Sequence, residues 1–370
     1  MTRSRRCFLA AALGGFACRR KRGSGFEGYA FVANEEGQSV AVVDLSVFAV
    51  VRHIRLDSRP TDVLSDPARS GVFLLSAHSG TLYEIRGDSL TLGRRARIAP
   101  RALSPKFHPA ADSLWLLAPE TRQLVRVSLE TFRADARVAL PGIPAELDVS
   151  GDGEYAAASL PAEKAIVLVR LARPAVVRSI PAGPAPSLLR FRNDGRQLLV
   201  AHREAKLLSI HEIPSGRLIV RLPLAVEPRH FCFKQDGGQL FITGEGLDAV
   251  VTVYPFETEV GATTLAGRTP GFLAVSSTPN YLFVANPSSG DVTIVNIDTQ
   301  RVIAVAAVGK EPGAIVVTPD NQYALVLNRG SGDVAVLRIG AITSSRTRSA
   351  PLFTMIPVGS RPVGAVVRGV

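Results

Sequence analysis

The stretch PGFLAVSSTPNYLFVANPSSGDVTIVNIDTQRVIAVAAV, residues 270–308, decides the fold. It divides into four short apolar runs, Phe272 to Ser276, Tyr281 to Ala285, Val292 to Ile297 and Val302 to Val308, separated by clusters of Pro, Gly, Asn and Asp. Runs of that length between turn formers read as β-strands. In the third run, Val292, Ile294 and Asn296 alternate with Thr293, Val295 and Ile297, so both faces are largely apolar. That suits a strand sandwiched between neighbouring sheets better than one facing water.

The same unit recurs along the chain. Its leading proline falls at 60, 144, 186, 228, 270 and 312, at steps of 42 residues or twice that, with Ala102 in the remaining slot. Pro362 follows Pro312 by 50 residues, and the polar stretch Ala341 to Ala350 accounts for the excess. Sixteen to eighteen residues after these prolines a second signature ends: Leu75 to His78, Leu199 to His202, Phe283 to Asn286 and Leu325 to Asn328, with an unpaired first copy at Phe31 to Asn34. Repeated four-stranded units of about 42 residues predict a β-propeller, in which each unit buries its faces only by stacking on the next. Eight second strands and eight innermost strands can be counted. The first unit lacks an innermost strand and the last innermost strand, from Pro362, lacks a unit. Pairing the two closes the ring and removes an exposed edge. The expectation is therefore eight blades, with seven as the alternative if the unit from Ala102 to Leu140 is irregular. Blades are numbered from the one completed by Pro362, so blade 2 starts at Pro60 and blade 8 at Pro312.

The formal charge of +11 is unevenly placed. Arg3, Arg5, Arg6, Arg19, Arg20, Lys21 and Arg22 lie in the first 22 residues with no acid among them, leaving an excess of four for the rest. A nucleic-acid partner loses its main argument on that distribution. Three cysteines exclude a disulfide scaffold, and an apolar fraction of 46% excludes disorder. No apolar run approaches the roughly 18 residues of a membrane-spanning helix. Residues 1–17 have a cationic start followed by the apolar stretch Phe8 to Ala17, the anatomy of a signal peptide. Residues 18–27 form a basic linker, and residues 28–370 the propeller. Cys18 admits two readings, an acylated lipoprotein cysteine or the residue after an ordinary cleavage site. If acylated, it joins Arg19 to Arg22 in a two-part membrane anchor.

Two resemblances accompany these readings. Ser4-Arg5-Arg6-Cys7-Phe8-Leu9 resembles the twin-arginine export motif, with Ala10 where Lys is usual. It implies a protein folded before export to the periplasm or cell envelope. Pro312-Gly313, Thr318-Pro319-Asp320, Tyr323 to Asn328, Tyr281 to Asn286 and Ile297-Asp298 resemble the YVTN repeat family of bacterial and archaeal β-propellers. The likeness covers residues 28–370 and fades in the middle, where Leu160 and Glu245 replace the Asn. It implies an extracytoplasmic propeller within the broader WD40-like superfamily, distantly like the haem-d propellers of nitrite reductases.

Several chemistries are excluded by residue type. There is no Cys-x-x-Cys-His, phosphate loop, Gly-x-Ser-x-Gly or His-Glu-x-x-His, and Trp115 is the only tryptophan. Cys232, between Phe231 and Phe233, reads as a buried inert thiol. The strict repeat places equivalent residues around one channel mouth. Arg361, Arg59 and Arg101 precede the proline slot on blades 1, 2 and 3, forming a cationic arc. Two residues after the slot stand Asp62, Glu146 and His230 on alternate blades, with Arg229 beside the histidine. These seven residues are the candidate site, the arginines for an anionic group and the others for polar or divalent-metal contacts. Solvated turn charges are the competing reading. His78 and His202, in the slot of the family Asn, read as turn stabilisers, and His53 and His211 as outer-strand residues.

The leading functional expectation is an exported, non-catalytic, monomeric binding module for a protein, polymer or small anionic ligand, with no cofactor of its own. The alternative is a cofactor-handling or oxidoreductase-associated propeller of the haem-d kind, with His230 as axial ligand. A lactonase-like metal hydrolase ranks third.

Overall fold

A computed structural model describes residues 25–342 and 351–369. The export motif with Arg5 and Arg6, Cys18 and its basic cluster, and Arg346 and Arg348 of the polar insertion lie outside the described residues. Eight antiparallel sheets of four strands are present. The unit from Ala102 is regular, with strands Leu103–Phe107, Ser113–Ala118, Gln123–Ser128 and Arg133–Ala139. Eight blades, not seven, therefore form the ring.

Closure follows the sequence expectation. Pro362–Gly369 pairs antiparallel with Gly28–Asn34, Gly28 opposite Gly369 and Val32 opposite Ala365. The first and last strands thus complete blade 1, and among the described residues no second-strand edge is left open.

Burial explains why the strands are apolar on both faces. The second strand Tyr323–Asn328 and third strands such as Val292 to Val295 are buried on both sides, because each blade is covered by its two neighbours. Phe31, Phe73, Trp115 and Phe283 are almost wholly sequestered. A side chain of that size contributes about 2–3 kcal/mol by leaving water. Fourth strands face solvent, and in Ala175–Pro181 only Ile180 is buried. In all eight blades the pairing of third and fourth strands slips by one residue. An extra residue of this kind bends the outer strand and increases the blade's twist.

The polar slot that recurs at the end of several second strands is a buried hydrogen-bonding post. Asn286 Nδ2 donates to Asp291 Oδ1 at 2.7 Å and Thr293 Oγ1 at 2.9 Å, and Asn328 Nδ2 to Asp333 Oδ1 at 2.6 Å. His202 fills the same slot, its Nδ1 2.8 Å from Pro184 O and its Nε2 2.7 Å from Ser209 Oγ. His78 does not. It is exposed, and Ser76, bonded to Arg59 O at 2.6 Å, takes the slot two residues earlier. His211 lies on the third strand of blade 5 and is buried beside Ser209, at 3.0 Å.

Candidate functional site

The innermost strands run side by side around the axis and are mostly half-buried, as residues facing a narrow central channel must be. Because equivalent positions recur at each blade, the channel wall is a set of rings read off the 42-residue ladder. The first ring lies two residues past the proline slot, the second four residues past it.

These rings divide into two unlike arcs. Blades 2 to 5 contribute Asp62, Ser104 and Glu146 to the first ring and Lys106, Asp148 and Arg190 to the second. They are tied across blade boundaries. Glu146 accepts from Ser104 Oγ at 3.0 Å and from Arg190 Nη1 at 2.8 Å. Asp148 accepts from the Phe191 amide at 2.8 Å and lies 3.5 Å from Lys106 Nζ. Burial holds the Asp62 carboxyl above its ordinary range against the bond from Thr61, and the Glu146 charge pushes it further. Burial also lowers the Lys106 ammonium, and Arg190 adds to that, while Asp148 and Glu146 oppose. Charged groups so crowded and desolvated mark a candidate site on physical grounds.

Blades 7, 8 and 1 present Phe272, Ala314 and Gly364, then Ala274, Val316 and Val366, an apolar wall. Blade 6 borders it with His230 and Cys232. The His230 ring packs on Phe272 with centroids 4.4 Å apart at 42°. Burial, reinforced by Arg229 and Arg203, drives its pKa down to about 4, so the imidazole is neutral at pH 7. Cys232 is half-buried, and desolvation pushes its thiol up to about 12, which disfavours the thiolate.

A cleft of about 370 Å³ opens at the mouth between blades 6, 7 and 8, lined by Arg229, His230, Phe272, Glu245, Glu311 and Arg329 among others. Arg229 pairs with Glu245, yet its Nε is buried without a hydrogen-bond partner among the described residues, and so is the Nε of Arg329. Arg329 was not singled out from the sequence, since it follows the Asn slot and not the proline slot.

The seven candidate residues are not one cluster. Asp62 and Glu146 interact electrostatically across blade 3, with Ser104 bonded to Glu146. His230 and Arg229 belong to the cleft on the apolar side. Arg361 is engaged by Glu35 at 2.9 Å and Glu36 at 3.7 Å, whereas Arg59 and Arg101 are exposed and form no ion pair among the described residues. The cationic arc is therefore two free arginines and one neutralised. Among the described residues no three His, Cys, Asp or Glu side chains are grouped to hold a metal ion.

Fold and site together define an eight-bladed β-propeller whose channel wall is charged on one side and apolar on the other, with a cleft at its mouth that carries both arginines and carboxylates. No family model and no curated protein matches the sequence. Among solved structures the chain resembles dihydro-heme d1 dehydrogenase NirN in complex with DHE, with a TM-score of 0.76 and 13% identity over 94% of this chain and 76% of that one. It also resembles the hydrazine synthase of Kuenenia stuttgartiensis, with a TM-score of 0.61 and 16% identity over 77% of this chain and 96% of that one. A functionally unknown protein from Desulfotomaculum acetoxidans DSM 771 gives 0.60 and 14% over the same shares. At such identities the likeness is one of fold alone.

Proposed function

We propose that this chain is an exported binding propeller of the YVTN type, whose channel mouth takes a small anionic ligand with a flat apolar body, of the tetrapyrrole class. The observation that carries the reading is the pair of guanidinium Nε atoms, on Arg229 and Arg329, buried without partners at the cleft that His230 and Phe272 also line. A buried donor left unmade costs about 1–3 kcal/mol, and a carboxylate placed there recovers it. Phe272 with Pro270, Pro287 and Pro312 offers apolar surface in the same cleft for a ring system. His230, neutral at pH 7, offers a free nitrogen lone pair.

That donor set fits a haem-like group with carboxylate side chains, and NirN, a propeller of the same architecture, is described in complex with DHE. Such a group supplies redox chemistry at its metal. The residues here would hold it: His230 as a nitrogen donor, Arg229 and Arg329 as partners for carboxylates, and Phe272 as an apolar contact. The role assigned to the chain is holding, not turnover.

The test is a visible-absorption titration of the purified protein with haem d1 and with iron protoporphyrin IX. Saturable one-to-one binding is expected, with the spectral shift altered in His230→Ala. The double change Arg229→Gln, Arg329→Gln weakens binding at least about tenfold, from the loss of one or more charge-assisted bonds. Absence of binding by either group, or unchanged binding by both variants, refutes the reading.

A further inference from the structure

A second concavity lies at the opposite end of the molecule from the proline slots. Each innermost strand runs from its proline toward that far end, so Arg192 and Arg196, which follow Pro186–Phe191, stand there. With Tyr155 and Arg170 of blade 4 and the loop around Pro214 of blade 5 they enclose an open cleft of about 710 Å³. It is the roomiest of the clefts described, and nothing in the channel chemistry uses it.

Its charge is lopsided. Arg170, Arg178, Arg192 and Arg196 line it against one carboxylate, Glu212. Glu212 is already engaged by Arg217, 3.2 Å away, and by the Ser215 hydroxyl at 2.6 Å. Arg192 is locked by Asp194 at 2.5 Å and Gln197 at 2.8 Å, and lies over the Phe256 ring at 4.5 Å. Arg170, Arg178 and Arg196 form no ion pair among the described residues. Arg170 instead reaches the Tyr155 hydroxyl at 3.4 Å. Three guanidinium groups without an ion pair among the described residues line the cleft with two hydroxyls, those of Tyr155 and Ser215, and with Val177, Ile219 and Pro214 as apolar walls. Guanidinium forks match phosphate oxygens in geometry and charge, and apolar walls suit the carbon body to which a phosphate is attached.

Topology bears on the source of that phosphate. Gly28 pairs with Gly369 at the far end of Pro362–Gly369, so the chain enters the ring at the same end as the cleft. The cationic segment Arg19 to Arg22 precedes that entry point by a few residues.

We infer that the cleft between blades 4 and 5 is a phosphate-binding site, and that the phosphate it takes is the headgroup of an anionic phospholipid. The site is independent of the channel mouth, and its fate does not depend on the function proposed above.

The experiment is isothermal calorimetry of the full chain with three soluble probes: dihexanoyl phosphatidylglycerol, dihexanoyl phosphatidylcholine and glycerol 3-phosphate. Dihexanoyl phosphatidylglycerol is expected to bind more tightly than the other two. The triple change Arg170→Gln, Arg178→Gln, Arg196→Gln weakens it about 150-fold, at about fivefold per basic group near a lipid surface. These arginines make no ion pair among the described residues, and only Arg170 contacts another side chain of the cleft, Tyr155, so the thermal midpoint should move little. Arg217→Gln, which removes a guanidinium already held by Glu212, serves as the comparison and leaves an unneutralised carboxylate, so any weakening is smaller than in the triple variant. Equal binding of glycerol 3-phosphate keeps the phosphate site and overturns the lipid source. Absence of binding by all three probes, or triple-variant binding equal to wild type, overturns the site.

Discussion

Replacing His230 by Gln should flatten the acid limb of the protein's stability. In the folded chain the imidazole's pKa stands at about 4, through burial first and then the charges of Arg229 and Arg203, against an ordinary 6.5. Between those values the unfolded chain binds a proton that the folded chain refuses. The histidine's contribution is therefore complete above pH 6.5 and is lost as pH falls through 4. A gap of that size corresponds to about 3 kcal/mol in full, and about 2.5 kcal/mol of it is lost by pH 4.5. Burial also lowers His202 and His211, which add to the acid loss in wild type and variant alike. Urea unfolding followed by tryptophan and far-ultraviolet signals at pH 7.5 and pH 4.5 gives the two differences. The wild type should lose about 2 to 3 kcal/mol more than His230→Gln over that interval. Equal losses would refute a desolvated neutral imidazole, and with it the free lone pair on which the channel-mouth reading draws.

Two further outcomes follow from the same wall. Glu146→Leu strands the Arg190 guanidinium and the Ser104 hydroxyl, and should lower stability by about 1–3 kcal/mol by calorimetry, while the Asp62 carboxyl moves down as a neighbouring charge disappears. Cys232 should react with a thiol reagent in the native protein far more slowly than in urea, since burial holds its thiol near 12; rapid native labelling would contradict that burial.

The propeller was legible because each blade repeats one physical problem. A strand covered on both sides must be apolar on both sides, and turn chemistry must recur at a fixed interval. The proline ladder and the pairing of Gly28–Asn34 with Pro362–Gly369 both came from that regularity. Local letter matching did worse. The string Leu75 to His78 looks like Leu199 to His202, yet the constant spacing of 16 residues from proline to slot, as in Pro186 to His202 and Pro312 to Asn328, points to Ser76.

The site was legible in part. Reading the ladder at one position found Asp62, Glu146 and His230. Continuing it by two residues would have found Lys106, Asp148 and Arg190, whose bonds cross blade boundaries. The pairing of Arg361 with Glu35 depends on ring closure between residues 326 apart, so local sequence carried no sign of it. Arg229 stands on the ladder, one residue after its proline, but its orphaned Nε, the partner orphan on Arg329 and the far-end arginine cleft are not visible from the proline slots. Only the assembled ring shows which of those guanidinium groups meet a carboxylate and which do not.

The most direct measurement is a crystal structure of the protein soaked with haem d1 or iron protoporphyrin IX. Density for the ring against Phe272 and His230, with carboxylates on Arg229 and Arg329, is the predicted result. Density elsewhere on the molecule, or a mouth unchanged at saturating ligand, would contradict the account.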